Sequence, residues 1–138
     1  MWDHEYSTET DVDAARLWRT FVSIHSGRLT LPGGDVFKPE GELAVGTRIA
    51  VTPAGQETMT ATVTVFDPER AYADETEYNG LVLTFSHRFE PKGMKVRITH
   101  RLVITGEGAD AVGPEIGPQI SADLPDQMAA LIKAARRA

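Results

Sequence analysis

The stretch from Leu83 to Gly106, LTFSHRFEPKGMKVRITHRLVITG, constrains the fold more than any other part of the chain. Apolar residues fall at every second position on both sides of Pro91-Lys92-Gly93: Leu83, Phe85 and Phe89 before it, and Met94, Val96, Ile98, Leu102 and Ile104 after it. A period of two puts them on one face of two antiparallel strands joined by a tight turn. Each apolar face carries one histidine, His87 going in and His100 coming out. A two-residue turn at Lys92-Gly93 pairs Phe89 with Val96, His87 with Ile98 and Phe85 with His100. The histidines are then diagonal neighbours, and a slip of two residues pairs them directly.

The remaining segments supply more sheet and something to cover it. Trp2, His4 and Tyr6 alternate with Asp3, Glu5 and Ser7, the pattern of a half-buried strand. Thr10-x-x-Asp13 resembles a capping box, and Val12, Ala15, Trp18, Phe21 and Val22 follow at helical spacing as far as Ser26-Gly27. Beyond the breaker Leu31-Pro-Gly-Gly34 the pattern returns to strands: a weak one in VFKPEGEL, then TRIAVTP, then ETMTATVTVFD. In the last of these Met59, Ala61, Val63 and Val65 face one way and four threonines the other. Ala71 to Tyr78 continues the ladder after Pro68, with Tyr72, Asp74, Thr76 and Tyr78 on the inward face, and Asn79-Gly80 is a hairpin signal. EGADAVGPEIGP reads as a flexible passage. Ile116, Ile120, Leu124, Met128, Leu131 and Ala135 then form the stripe of a long amphipathic helix, kinked or restarted at Pro125 after Asp123.

Composition narrows the function. A net charge of −6 disfavours nucleic acid, because phosphate binding draws on clustered Lys and Arg. The basic trio Lys133, Arg136 and Arg137 ends a helix, where it complements the dipole. No apolar run reaches the roughly 20 residues that cross a bilayer, so membrane insertion is not expected. The acidic, polar start lacks the pattern of a signal peptide, which makes the cytoplasm the expected location. With no cysteine, a metal would need His and carboxylate ligands, and the spacing carries no such signature. No cofactor or metal is expected.

One strand, a helix, a run of antiparallel strands and a long C-terminal helix make an α+β chain, expected to be a single domain over residues 1–138. About six to seven strands would form a curved sheet wrapped around the C-terminal helix, with one or two short helices after the first strand. Space between sheet and helix is the expected consequence. The motifs GELAVGTRI at Gly41 to Ile49, DET at Asp74 to Thr76, LTFSHRFEPKG at Leu83 to Gly93, RITHRLVITG at Arg97 to Gly106 and the closing GPEIGPQISADLPDQMAALIKAARRA carry a resemblance. The chain resembles the START-like, or SRPBCC, superfamily with the Bet v 1 helix-grip fold, and within it the polyketide cyclase/dehydrase and lipid-transport-like group. The likeness spans essentially the whole chain, although the segment before GELAVG is short and glycine-rich here. It implies the helix-grip architecture and a small hydrophobic partner, lipid-like, polyketide-like or aromatic, held by a monomer or homodimer.

The expected pocket residues are His87, His100, Phe85, Phe89, Tyr72, Ile98, Leu102, Met128 and Leu124. Three roles are open for the histidines: core residues satisfied by a nearby group, hydrogen-bonding partners of a ligand, or proton carriers beside a carbonyl. Asp74 is either a solvated rim residue or the group that orients a histidine ring. Ligand binding is the leading function. A cyclase-, dehydratase- or isomerase-type enzyme with His87 or His100 as general base, aided by Asp74, is the alternative, and a non-enzymatic interaction module is the third class.

Overall fold

The computed structural model describes residues 1–137. In chain order the elements are β1 (Trp2–Thr10), α1 (Ala14–His25), β2 (Val36–Pro39), β3 (Arg48–Thr52), β4 (Met59–Asp67), β5 (Ala71–Tyr78), β6 (Leu81–Lys92), β7 (Lys95–Gly106), α2 (Ala109–Ser121) and α3 (Leu124–Arg137). The strands form one antiparallel sheet in the order β1-β7-β6-β5-β4-β3-β2. The helices cover its apolar face.

The long hairpin sits in a different register from the one a Lys92-Gly93 turn predicts. Gly93 and Met94 form the two-residue loop, Lys92 pairs with Lys95, and His87 lies directly opposite His100. Gly93 takes φ +64, which glycine adopts freely as the first central residue of a tight hairpin. Met94 is therefore 98% exposed instead of facing the interior. The Asn79-Gly80 hairpin forms as its sequence requires, with both residues at positive φ.

Three further elements correct the sequence reading. Asp13, not Thr10, caps α1: its carboxylate accepts from the backbone N–H of Arg16 at 2.8 Å, while Thr10 Oγ1 accepts from Val12 N. In β4 a bulge between Val63 and Val65 breaks the alternation, so Val65 is 41% exposed and Phe66 turns in against Trp18. Such a bulge bends the strand and strengthens the twist that wraps the sheet. EGADAVGPEIGP is mostly helix and not a flexible passage, while the C-terminal rod comes in two pieces parted at residues 122–123, the restart expected after Asp123. Pro114 and Pro118 face solvent, where water can bond the carbonyls their missing N–H groups leave free. On the opposite side Gly113 and Gly117 receive the ring of Trp2. A Cβ at either would lie within 2.5 Å of that side chain.

The interior divides into two apolar blocks. In the larger, Leu17, Trp18 and Phe21 of α1 pack with Phe89, Val96 and Ile98 of the hairpin and with Met128, Leu131 and Ala135 of α3. In the smaller, Leu81, Leu83, Leu102 and Ile104 meet Ala109, with Trp2, Ile116 and Ile120 against them. Full burial of each large side chain contributes about 1.5–3 kcal/mol, so both blocks are substantial.

Candidate functional site

The two blocks part around His87 and His100. Paired across β6 and β7, their rings lie 3.8 Å apart between centroids. A third imidazole, His25, enters from the end of α1. Its place is set by a Schellman motif, in which the N–H of Gly27 donates to Ile24 O at 3.1 Å and that of Arg28 to Ser23 O at 2.9 Å. Gly27 stands at φ +81, where a Cβ would come within 2.6 Å of the Phe37 carbonyl oxygen. Glycine alone lets the helix end approach β2 so closely. The His25 ring lies between Phe21 and Phe37, 4.0 and 4.3 Å away, and 5.8 Å from His87.

Hydrogen bonds fix part of the chemistry. His25 Nδ1 contacts Phe21 O at 3.2 Å. A carbonyl only accepts, so Nδ1 carries the proton and Nε2 keeps a lone pair. This is the one hydrogen bond of the three rings among the described residues. Among the described residues His87 Nδ1 is buried with no partner, and it is the only ring nitrogen there that is both sealed off and unpaired. The other unpaired nitrogens therefore look into open space beside the rings. Burial drives all three imidazoles towards the neutral form: His25 to about 3, His100 to about 4, and His87 well below its ordinary value, where its two histidine neighbours add to the effect.

Asp74 is 6% exposed, so it is not a rim residue, and it does not orient a histidine. Its Oδ2 accepts from the Tyr72 hydroxyl at 2.8 Å. Burial pushes the Asp74 carboxyl up to about 6, against the pull of that hydrogen bond. Burial, then the nearby carboxylate, raises the Tyr72 phenol.

The open space is a cavity of about 470 Å³ between the sheet and the C-terminal helices. Phe37, Leu83, Phe85, Ile116, Ile120 and Leu124 give it an apolar lining, and His25, Asp74, His87 and His100 supply polar groups. A second chamber of about 330 Å³ lies under α3, walled by Phe21, Leu31, Met128 and Leu131 and sharing the three histidines with the first. Of the predicted pocket residues, Phe85, His87, His100, Leu124 and Met128 line these spaces. Tyr72, Phe89, Ile98 and Leu102 do not: they are packed inside the two blocks. The sequence reading missed His25, although Trp18, Phe21 and His25 share one face at spacings of three and four. It also missed Asp35 and Asp123, which border both chambers. Among the described residues no group of three His, Asp or Glu is gathered closely enough to hold a metal ion. No helix among them is long and apolar enough to cross a membrane.

A curved seven-stranded sheet gripping two C-terminal helices over a cavity decides the architecture. The chain has the Bet v 1-like helix-grip fold. Solved structures with this helix-grip arrangement superpose over nearly its whole length. Ara h 8.0201 matches with a TM-score of 0.74 at 15% identity, covering 99% of this chain and 100% of that one. Norcoclaurine synthase from Thalictrum flavum, in complex with dopamine and hydroxybenzaldehyde, matches with a TM-score of 0.68 at 16% identity, covering 99% and 87%. Protein NE0264 from Nitrosomonas europaea gives 0.72 at 11% identity, covering 98% and 94%. At these identities the likeness is one of helix-grip architecture. No protein-family model and no curated protein matches the sequence.

Proposed function

We propose that the protein binds a small, largely apolar molecule, lipid-, polyketide- or aromatic-like, in the helix-grip cavity, with its polar group hydrogen-bonded by the imidazoles. One observation carries this reading: three buried, neutral imidazoles share a single protein hydrogen bond and border an apolar space of ligand size. A packed core satisfies its polar groups, and an unpaired buried one costs about 1–3 kcal/mol. A neutral ring offers both a donor and an acceptor, which suits a carbonyl, phenol or hydroxyl. The complex of norcoclaurine synthase with two aromatic molecules is in keeping with a ligand of this size.

His87→Phe tests the reading. Removing the orphaned nitrogen should raise the melting temperature by a few degrees while weakening ligand binding at least tenfold. Thermal-shift screening with sterols, flavonoids, fatty alcohols and aromatic polyketides supplies the ligand. Absence of any stabilising compound counts against the proposal. So does a His87→Phe protein that melts lower than the parent and binds as before.

A second reading, an enzyme of cyclase, dehydratase or isomerase type, draws its support from Asp74. Proton transfer near neutral pH favours a group whose pKa lies close by. At about 6 the Asp74 carboxyl meets that condition better than His25 at about 3 or His100 at about 4. For a substrate that is turned over, Asp74→Asn should lower kcat roughly 100-fold or more. Unchanged turnover would remove Asp74 from the chemistry.

A further inference from the structure

The walls of both chambers contain no lysine and no arginine, yet four carboxyl groups border them: Asp35, Asp74, Asp123 and Asp126. Asp35 comes from the segment between α1 and β2, Asp123 from the break between α2 and α3, and both line both chambers. Neither has a salt-bridge partner among the described residues. Asp35 is half-buried, and its carboxyl is held above the usual carboxylate range by that burial and then by the charge of Asp123. Asp123 is exposed, with its Oδ2 accepting only from Gln127 Nε2 at 2.8 Å among the described residues. Two carboxylates bordering one space with no cation repel each other, and a ligand bringing positive charge relieves that.

A carboxyl cluster alone could be a solvated surface. The same space, however, is bordered by His100, which is 4% exposed and whose ring nitrogens have no partner among the described residues. A buried, unpaired ring looking into a largely apolar cavity that carboxyl groups also border describes a site with a few polar groups and an acidic margin.

We infer that the cavity takes a molecule carrying a protonated amine on an apolar body, with Asp35 and Asp123 receiving the ammonium group. This rests on the reading of the cavity as a ligand site and narrows it. An ammonium has three donors and no acceptor, and the two carboxylates can only accept at neutral pH. Fatty acids and phosphate esters meet the opposite situation, since no basic side chain in the wall would receive their charge.

Calorimetric titration of the whole protein near neutral pH and low salt, with naphthylethylamine, naphthylethanol and naphthylacetate, separates the possibilities. The three probes share one apolar body and differ in charge. The amine is expected to bind about tenfold or more tightly than the alcohol, and the carboxylate more weakly than the alcohol. In the Asp35→Asn/Asp123→Asn variant the ratio of amine to alcohol affinity should fall towards one. An alcohol that binds as well as the amine in the parent protein overturns the inference and leaves the cavity reading standing. Binding of none of the three overturns both.

Discussion

Acidification from about pH 6.5 to about pH 4 is expected to destabilise the protein strongly, with a net uptake of about one to two protons per molecule on unfolding. The sign follows from the buried rings. His25 and His100 titrate at about 3 and 4 when folded, and His87 well below its ordinary value, against 6.5 in a solvated chain. Between those limits the unfolded chain holds up to three more protons than the folded one. Stability present above pH 6.5 is therefore lost as the pH falls. Asp74 acts in the other direction: its folded value of about 6 exceeds the ordinary 3.8, so between the two the native carboxyl holds a proton that the unfolded one releases. Asp35, whose carboxyl burial also holds above the usual range, acts with Asp74. Three against these two leaves about one to two protons, or roughly 1.4–2.7 kcal/mol per pH unit. A drop of about two pH units then removes a sizeable part of the roughly 5–15 kcal/mol available to a domain. Melting temperatures from pH 7 to pH 4 by circular dichroism measure this, and His100→Asn should flatten the slope. A melting temperature that stays level from pH 7 to pH 5 would mean that the rings protonate in place, with the charge solvated inside the cavity.

Gly27→Ala is expected to lower stability by about 3 kcal/mol, roughly 10 °C in melting temperature. Part of this is the strain of a side chain at φ +81, about 1–2 kcal/mol. The rest comes from the Phe37 carbonyl oxygen at 2.6 Å, backbone that cannot swing aside as a side chain would. Gly55→Ala is the control. It has φ +73 but nothing within 4 Å, and should show the strain without the collision. Equal losses at the two positions would mean that α1 and β2 separate at little cost. Because His25 is the last residue of α1, Gly27→Ala should also weaken ligand binding by more than Gly55→Ala does.

Much of this architecture could be read before any coordinates. Alternation in β5, β6 and β7 gave the correct inward faces, including Asp74, His87 and His100, because a one-residue slip would turn a whole strand inside out. It could not give the pairing. Met94 continues the apolar pattern, and only the preference of Gly93 for positive φ places the loop one residue later. Local propensity also failed for α2. Its glycines and prolines argue for a loop, and it is the ring of Trp2, more than a hundred residues away in sequence, that gives those glycines a purpose. The site was half visible. Strand periodicity pointed to two histidines, but His25 sits in helical register. Asp35 and Asp123 lie in connecting segments, where no periodicity marks them.

The division of the interior has a consequence for how the molecule moves. With the cavity between them, the block under α2 and the block under α1 and α3 share the hairpin backbone but draw on separate sets of side chains. The two are then expected to open separately, so that hydrogen exchange would find amides in one block exchanging while those in the other stay protected. An occupant touching Leu83 and Ile120 on one side and His25 on the other would bridge them. Two loosely joined cooperative units would become one, so occupancy would be felt as rigidity far from the ligand itself.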